Sequence, residues 1–124
     1  MVMPPIRVEC GKQQFEHLEC VFNAAIHSLS DLCRTRPDYA YVWENVRFRL
    51  NKIQKTLKDG SLPTKEMRNE AELGTMLRYE CPDMAGTGEL LALYELDNAY
   101  QLLGIKPLTP SELDTFRKTM GCQI

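Results

Sequence analysis

The chain has 124 residues, of which 44% are hydrophobic and 26% charged, and its net charge is −2. That length suits one domain around a single core, and the composition is that of an ordinary globular protein, which excludes a disordered chain. No apolar run reaches the roughly 18 residues of a membrane span, the N-terminus has no secretory pattern, and the basic stripe of a nucleic-acid binder is missing. A cytoplasmic protein that uses neither membrane nor nucleic acid is expected. Its five cysteines (Cys10, Cys20, Cys33, Cys81, Cys122) are odd in number and include no C-x-x-C pair, so free thiols or small core residues are expected rather than a disulfide framework.

Residues 1–12, with Pro4, Pro5 and Gly11 around I-R-V-E, are expected to form an extended arm. Across residues 13–34, Phe15, Leu18, Phe22, Ala25, Leu29 and Leu32 recur at spacings of three and four, which is one face of an amphipathic helix. Pro37 ends it, because the residue before a proline is pushed out of the helical region. A second helix over residues 38–59 turns Tyr39, Val42, Trp43, Val46, Leu50, Ile53 and Leu57 inward, and Gly60 stops it. Tyr41 and Phe48 lie on its other side, either packed against a further helix or forming an exposed aromatic contact patch.

Residues 64–80 read as a third helix with Met67, Ala71, Gly74 and Leu77 on its inner face. Gly inside a helix costs about 1 kcal/mol against Ala, so Gly74 implies close approach by a neighbour. Leu73 and Met76 lie off that face among carboxylates, as apolar anchors of a partner-binding surface would. After a turn containing Pro82, Gly86 and Gly88, residues 88–103 form a fourth helix with Leu90, Leu93, Leu96, Tyr100 and Leu103 on its main face. Asp97 falls inside or beside that apolar arc, where a carboxylate needs hydrogen-bond partners. A bond to a Tyr, an Arg or a helix N-terminus accounts for it better than catalysis. Thr109, Pro110 and Glu112 make a capping box for a short final helix over residues 110–120. The whole chain, residues 1–124, therefore reads as one all-α domain: an antiparallel bundle of four to five helices with an extended N-terminal arm.

Charge is unevenly shared. Residues 61–124 hold six basic and ten acidic residues, and between Glu66 and Asp97 eight carboxylates face only Arg68 and Arg78. An acidic helical hairpin of this kind suits a surface that steers toward a basic partner. Chemistry is poorly supported. His17 and Cys20 stand three apart, but no further matched ligands accompany them and no oxyanion donors are identifiable, so neither a metal site nor a nucleophile is expected. The G-T-G at residues 86–88 lacks the strand and lysine of a phosphate loop. We expect no catalytic residue, no metal and no cofactor.

Several pieces, in order and spacing, resemble a known family. These are R-P-D-Y at residues 36–39, D-G-S-L at 59–62, L-G-T at 73–75, Y-E-C at 79–81, E-L at 89–90 and D-N-A-Y at 97–100. Together they are similar to the small all-helical immunity proteins that neutralise a type VI secretion effector hydrolysing NAD(P)+. The N-terminal arm, the turn at residues 82–88 and the C-terminal helix depart from the family pattern. The resemblance implies an antitoxin of interbacterial competition that binds a cognate toxin domain and blocks its active site without catalysis of its own. The expected contact residues are Glu66, Glu70, Glu80 and Asp83 for charge, Leu73 and Met76 as anchors, and Tyr41 and Phe48 beside them. The free protein is expected to be a monomer or a weak dimer. The competing expectation is a helical adaptor or dimerisation module with no toxin partner.

Overall fold

The computed structural model describes residues 3–84 and 87–104, and among them all regular structure is helical. Helix α1 (Met3–Thr35) leads through a 3-10 turn (Pro37–Tyr39) into α2 (Ala40–Asp59). Two short helices follow, α3 (Lys65–Ala71) and α4 (Gly74–Glu80), and a second 3-10 turn (Gly88–Leu90) opens α5 (Leu91–Gln101). The chain is an all-α helical bundle, as its periodicity predicts. The expected final helix over residues 110–120 lies outside the described residues.

Helix α1 packs chiefly on α5 and α2, and the core sits between these three. The periodic positions go where the pattern sends them. Leu18, Phe22, Ala25, Leu29 and Leu32 of α1, Val42, Trp43, Val46, Leu50 and Ile53 of α2, and Leu93, Leu96 and Tyr100 of α5 are all buried. A buried side-chain pair across α2 and α5, Thr56 Oγ1 with Tyr100 Oη at 2.9 Å, satisfies both hydroxyls. The predicted stops also hold. Arg36 leaves the helical region ahead of Pro37, with φ −129° and ψ 62°. Gly60 takes the left-handed conformation at φ 67° and its N–H is accepted by the Thr56 carbonyl at 3.0 Å.

Three expectations are corrected. The extended arm over residues 1–12 is instead helical from Met3. Pro4 and Pro5 fall in the first turn, where the backbone N–H groups have no intrahelical acceptor to lose, so proline is tolerated there. Cys33 and Cys81 are free, but Cys20 is disulfide-bonded, against the expectation of free thiols throughout.

The third correction bears on the site. The helix expected over residues 64–80 is broken at Glu72 and Leu73, where Glu72 is extended at φ −62° and ψ 127°. The break drops the Leu73 side chain into the core with no exposed surface. It also frees the N–H groups of Leu73 and Gly74, which the Asp97 carboxylate accepts at 3.1 and 3.0 Å. Gly74 is where the close approach occurs: a Cβ there would stand 3.0 Å from Asp97 Oδ2. Burial pushes the Asp97 carboxyl up, and the two backbone donors pull against that rise.

Side chains close several other helix ends as well. Thr64 Oγ1 accepts from Met67 N at 3.1 Å at the start of α3, and Glu72 Oε1 accepts from Thr75 N at 2.8 Å at the start of α4. Arg49 donates to the Glu70 and Glu72 carbonyls at the end of α3. Arg68 donates to the carbonyls of Tyr100, Gln101 and Leu103, all within 2.8 Å, at the end of α5. Positive charge at a helix C-terminus also complements the helix dipole.

Replacing Asp97 by Ala strands two part-buried donors, so Asp97→Ala is expected to cost about 1–3 kcal/mol, read as a lower urea midpoint. Asp97→Asn keeps one acceptor and should cost less.

Candidate protein-binding surface

Helix α2 buries one side in the core and turns the other to solvent. Tyr41 and Phe48 stand on that outer side, each 61% exposed, seven residues apart and so about 10 Å along the axis. Of the two arrangements their spacing allows, the structure has the exposed patch and not the second packed face.

At the N-terminal end of the patch, Tyr39 joins it to the turn after α4. The Tyr39 ring lies 6.4 Å from that of Tyr41 and 6.1 Å edge-on from that of Trp43. Its hydroxyl donates to Asp83 Oδ1, and Arg36 donates to Asp83 Oδ2 at 3.3 Å and to both oxygens of Asp38 at 3.2 and 3.0 Å. The Arg36 carbonyl in turn accepts from Trp43 Nε1 at 2.8 Å, which fixes this corner to the core. The Tyr39 hydroxyl is pushed up to about 12, first by its bond to Asp83. Asp38 is held below the usual carboxylate range by Arg36, and Asp83 by Tyr39 and then Arg36.

At the other end, Lys52 Nζ lies 4.9 Å from the centre of the Phe48 ring and 3.0 Å from Glu70 Oε2. The structure therefore gathers Asp83, Tyr41, Phe48 and Glu70 along one strip. Asp83 is reached through Tyr39, and Glu70 through Lys52. Glu66, in the first turn of α3, is exposed, and Glu80, at the end of α4, is half-buried. No hydrogen bond or ion pair among the described residues ties either of them to the strip.

Of the two expected anchors, Leu73 fails and Met76 remains part-exposed. Leu73 is fully buried, because the break between α3 and α4 turns it inward, and it is unavailable to a partner. Met76 is half-buried and packs against the core. The exposed residue that sequence reasoning missed is Tyr79, 83% exposed on α4. Its spacing does mark it: two residues past the buried Leu77, it falls about 200° further around α4, on the outer side.

Metal and nucleophile chemistry gains nothing here. His17 is buried, the disulfide at Cys20 removes that thiolate, and the described residues contain no group of three or more His, Cys, Asp or Glu able to hold a metal ion. No helix among them is long and apolar enough to cross a membrane. Asp97 serves a helix N-terminus, one of the structural roles expected for it. Comparison with known proteins returns no family model, curated protein or solved structure that matches this chain.

Two outcomes follow from this geometry. Leu73→Ala should behave as a core truncation, costing about 2–5 kcal/mol in urea denaturation. Asp83 has a folded value below its ordinary 3.8, so its contribution to stability is complete above that pH and is lost as pH falls through the folded value. The difference in urea midpoint between the native chain and Asp83→Asn should therefore be present at neutral pH and close up below about pH 3.8. A difference unchanged at low pH would mean that the carboxylate's charge contributes nothing.

Proposed function

We propose that this chain is an immunity protein: it binds a cognate secreted toxin domain, one that consumes NAD(P)+, and covers its active site without catalysing a reaction itself. The observation that carries the reading is the pair Tyr41 and Phe48, two large aromatics held exposed on a helix whose other side is core. A rigid aromatic anchor binds at low entropic cost, and aromatics dominate the energetic centres of protein interfaces. The resemblance of residues 36–100 to NAD(P)+-effector immunity proteins supplies the class of partner.

The acidic flank supports the same reading on electrostatic grounds. A pocket that receives a dinucleotide has to accommodate a pyrophosphate, so its mouth is electropositive. Glu66, Glu70, Glu80 and Asp83 would steer such a mouth toward this face, and the aromatics would then close it to the substrate. The carboxylates act mainly on the encounter rate, because Asp83 and Glu70 already have cationic neighbours.

The test is titration of the toxin domain's NAD(P)+ hydrolysis with the purified chain. Full inhibition at a 1:1 ratio is expected, with Tyr41→Ala and Phe48→Ala each weakening inhibition by roughly tenfold or more. Charge reversal at Glu80 and Asp83 together should slow association with little effect on dissociation. A chain that leaves the toxin fully active would exclude the role. Unchanged inhibition by both aromatic variants would exclude the surface.

A further inference from the structure

The outer face of α2 is complementary to itself. Reading from its N-terminus, it carries Tyr41 and Glu44, then Phe48, then Lys52, Lys55 and Lys58, so its first half holds aromatic and acidic groups and its second half is basic. Glu44 and Lys55 are both exposed, and neither makes a hydrogen bond or ion pair among the described residues. Of the other ionic groups on this side, Lys52 pairs with Glu70 and Asp38 and Asp83 with Arg36, while Lys58 stands exposed near the end of the helix.

Position around the helix gives this division a geometric consequence. At 3.6 residues per turn, Glu44 and Lys55 fall to the same side of Phe48, by about 40° and 20°, and on opposite sides of it along the axis. Tyr41 and Lys55 stand seven residues before and after Phe48, about 10 Å each way. An antiparallel copy laid across this face with Phe48 against Phe48 therefore brings its own Lys55 level with Tyr41 and next to Glu44. A two-fold axis repeats the arrangement on the other half.

We propose that a second copy of this chain docks here, forming a symmetric dimer through antiparallel α2 helices. Phe48 stacks on Phe48 at the two-fold axis. Lys55 of each copy pairs with Glu44 of the other, two charges the monomer leaves unpaired, and lies over its Tyr41 ring. The occupant is a second copy because the face supplies both halves of the complementarity itself. A strip about 30 Å long and about 10 Å wide covers only roughly 300 Å² on each copy, well short of the ~1,000 Å² total of a stable interface, so the dimer is transient. The pairing depends on α2 alone and stands whether or not the toxin-blocking role holds.

Sedimentation equilibrium of the full chain, between roughly 10 µM and 1 mM where so small an interface dissociates, tests it directly. The average mass should rise with concentration from 14.3 kDa toward twice that value. Glu44→Lys and Lys55→Glu each set like charges opposite one another at two symmetric places and should each weaken association by roughly tenfold or more. An equimolar mixture of these two variants restores both opposite-charge pairs, so it should recover association to within about threefold of the native chain. Both positions are exposed, so urea midpoints close to native would exclude misfolding as the cause. A mass fixed at the monomer value throughout would overturn the proposal. So would a dimer that neither variant disturbs, or a mixture no stronger than its components.

Discussion

The Asp97 carboxylate holds together the break between α3 and α4. By accepting the N–H groups of Leu73 and Gly74 it allows a helix to stop and restart within two residues, at a point where bare backbone donors would otherwise be left inside the fold. Leu73 becomes core, and Gly74 is confined against the carboxylate. Burial of a carboxylate is costly, and two backbone donors at a helix start offset that cost.

The same device recurs at neighbouring helix ends. Arg49 and Arg68 close the last carbonyls of α3 and α5, and Gln101 returns a bond from its side chain to the Arg68 carbonyl at 2.7 Å. Helices of seven residues are too short to be stable alone in water. Here α3 and α4 persist because side chains from α2, α3 and α5 satisfy backbone groups that would otherwise depend on solvent. The acidic hairpin is thus partly an internal fixture. Asp97 and Glu72 serve helix starts, and Asp83 and Glu70 are paired with Arg36 and Lys52.

In the proposed role, that reassignment shifts the weight of recognition from charge toward shape. With several carboxylates engaged at home, the exposed aromatics Tyr41, Phe48 and Tyr79 are among the groups with most to gain from burial by another protein. Helix α2 is fixed by Val42, Trp43, Val46, Leu50 and Ile53 on its inner side, so its outer face is organised before any partner arrives. A face of this kind, divided between acid and base along its length, fits an oppositely ordered copy of itself as readily as an outside protein.

The sequence by itself determined the helical class, the inward faces of α1, α2 and α5, and the stops at Pro37 and Gly60. Each of these rests on a local cause: apolar spacing that matches the helical turn, or a residue whose own backbone range ends a helix. It misread residues 1–12 as an extended arm because it weighed Pro4 and Pro5 by type and not by their place in a first turn. Only the tertiary structure decided the break at residues 72–73, since the acceptor that makes it possible lies 23 residues further along, on another helix. It likewise decided that Leu73 is core, that Tyr41 and Phe48 are uncovered, and that Asp83 meets Arg36 across 47 residues of chain. Periodicity fixes which side of a helix is apolar, whereas pairing across the bundle depends on how helices come to lie beside one another, which no local spacing encodes.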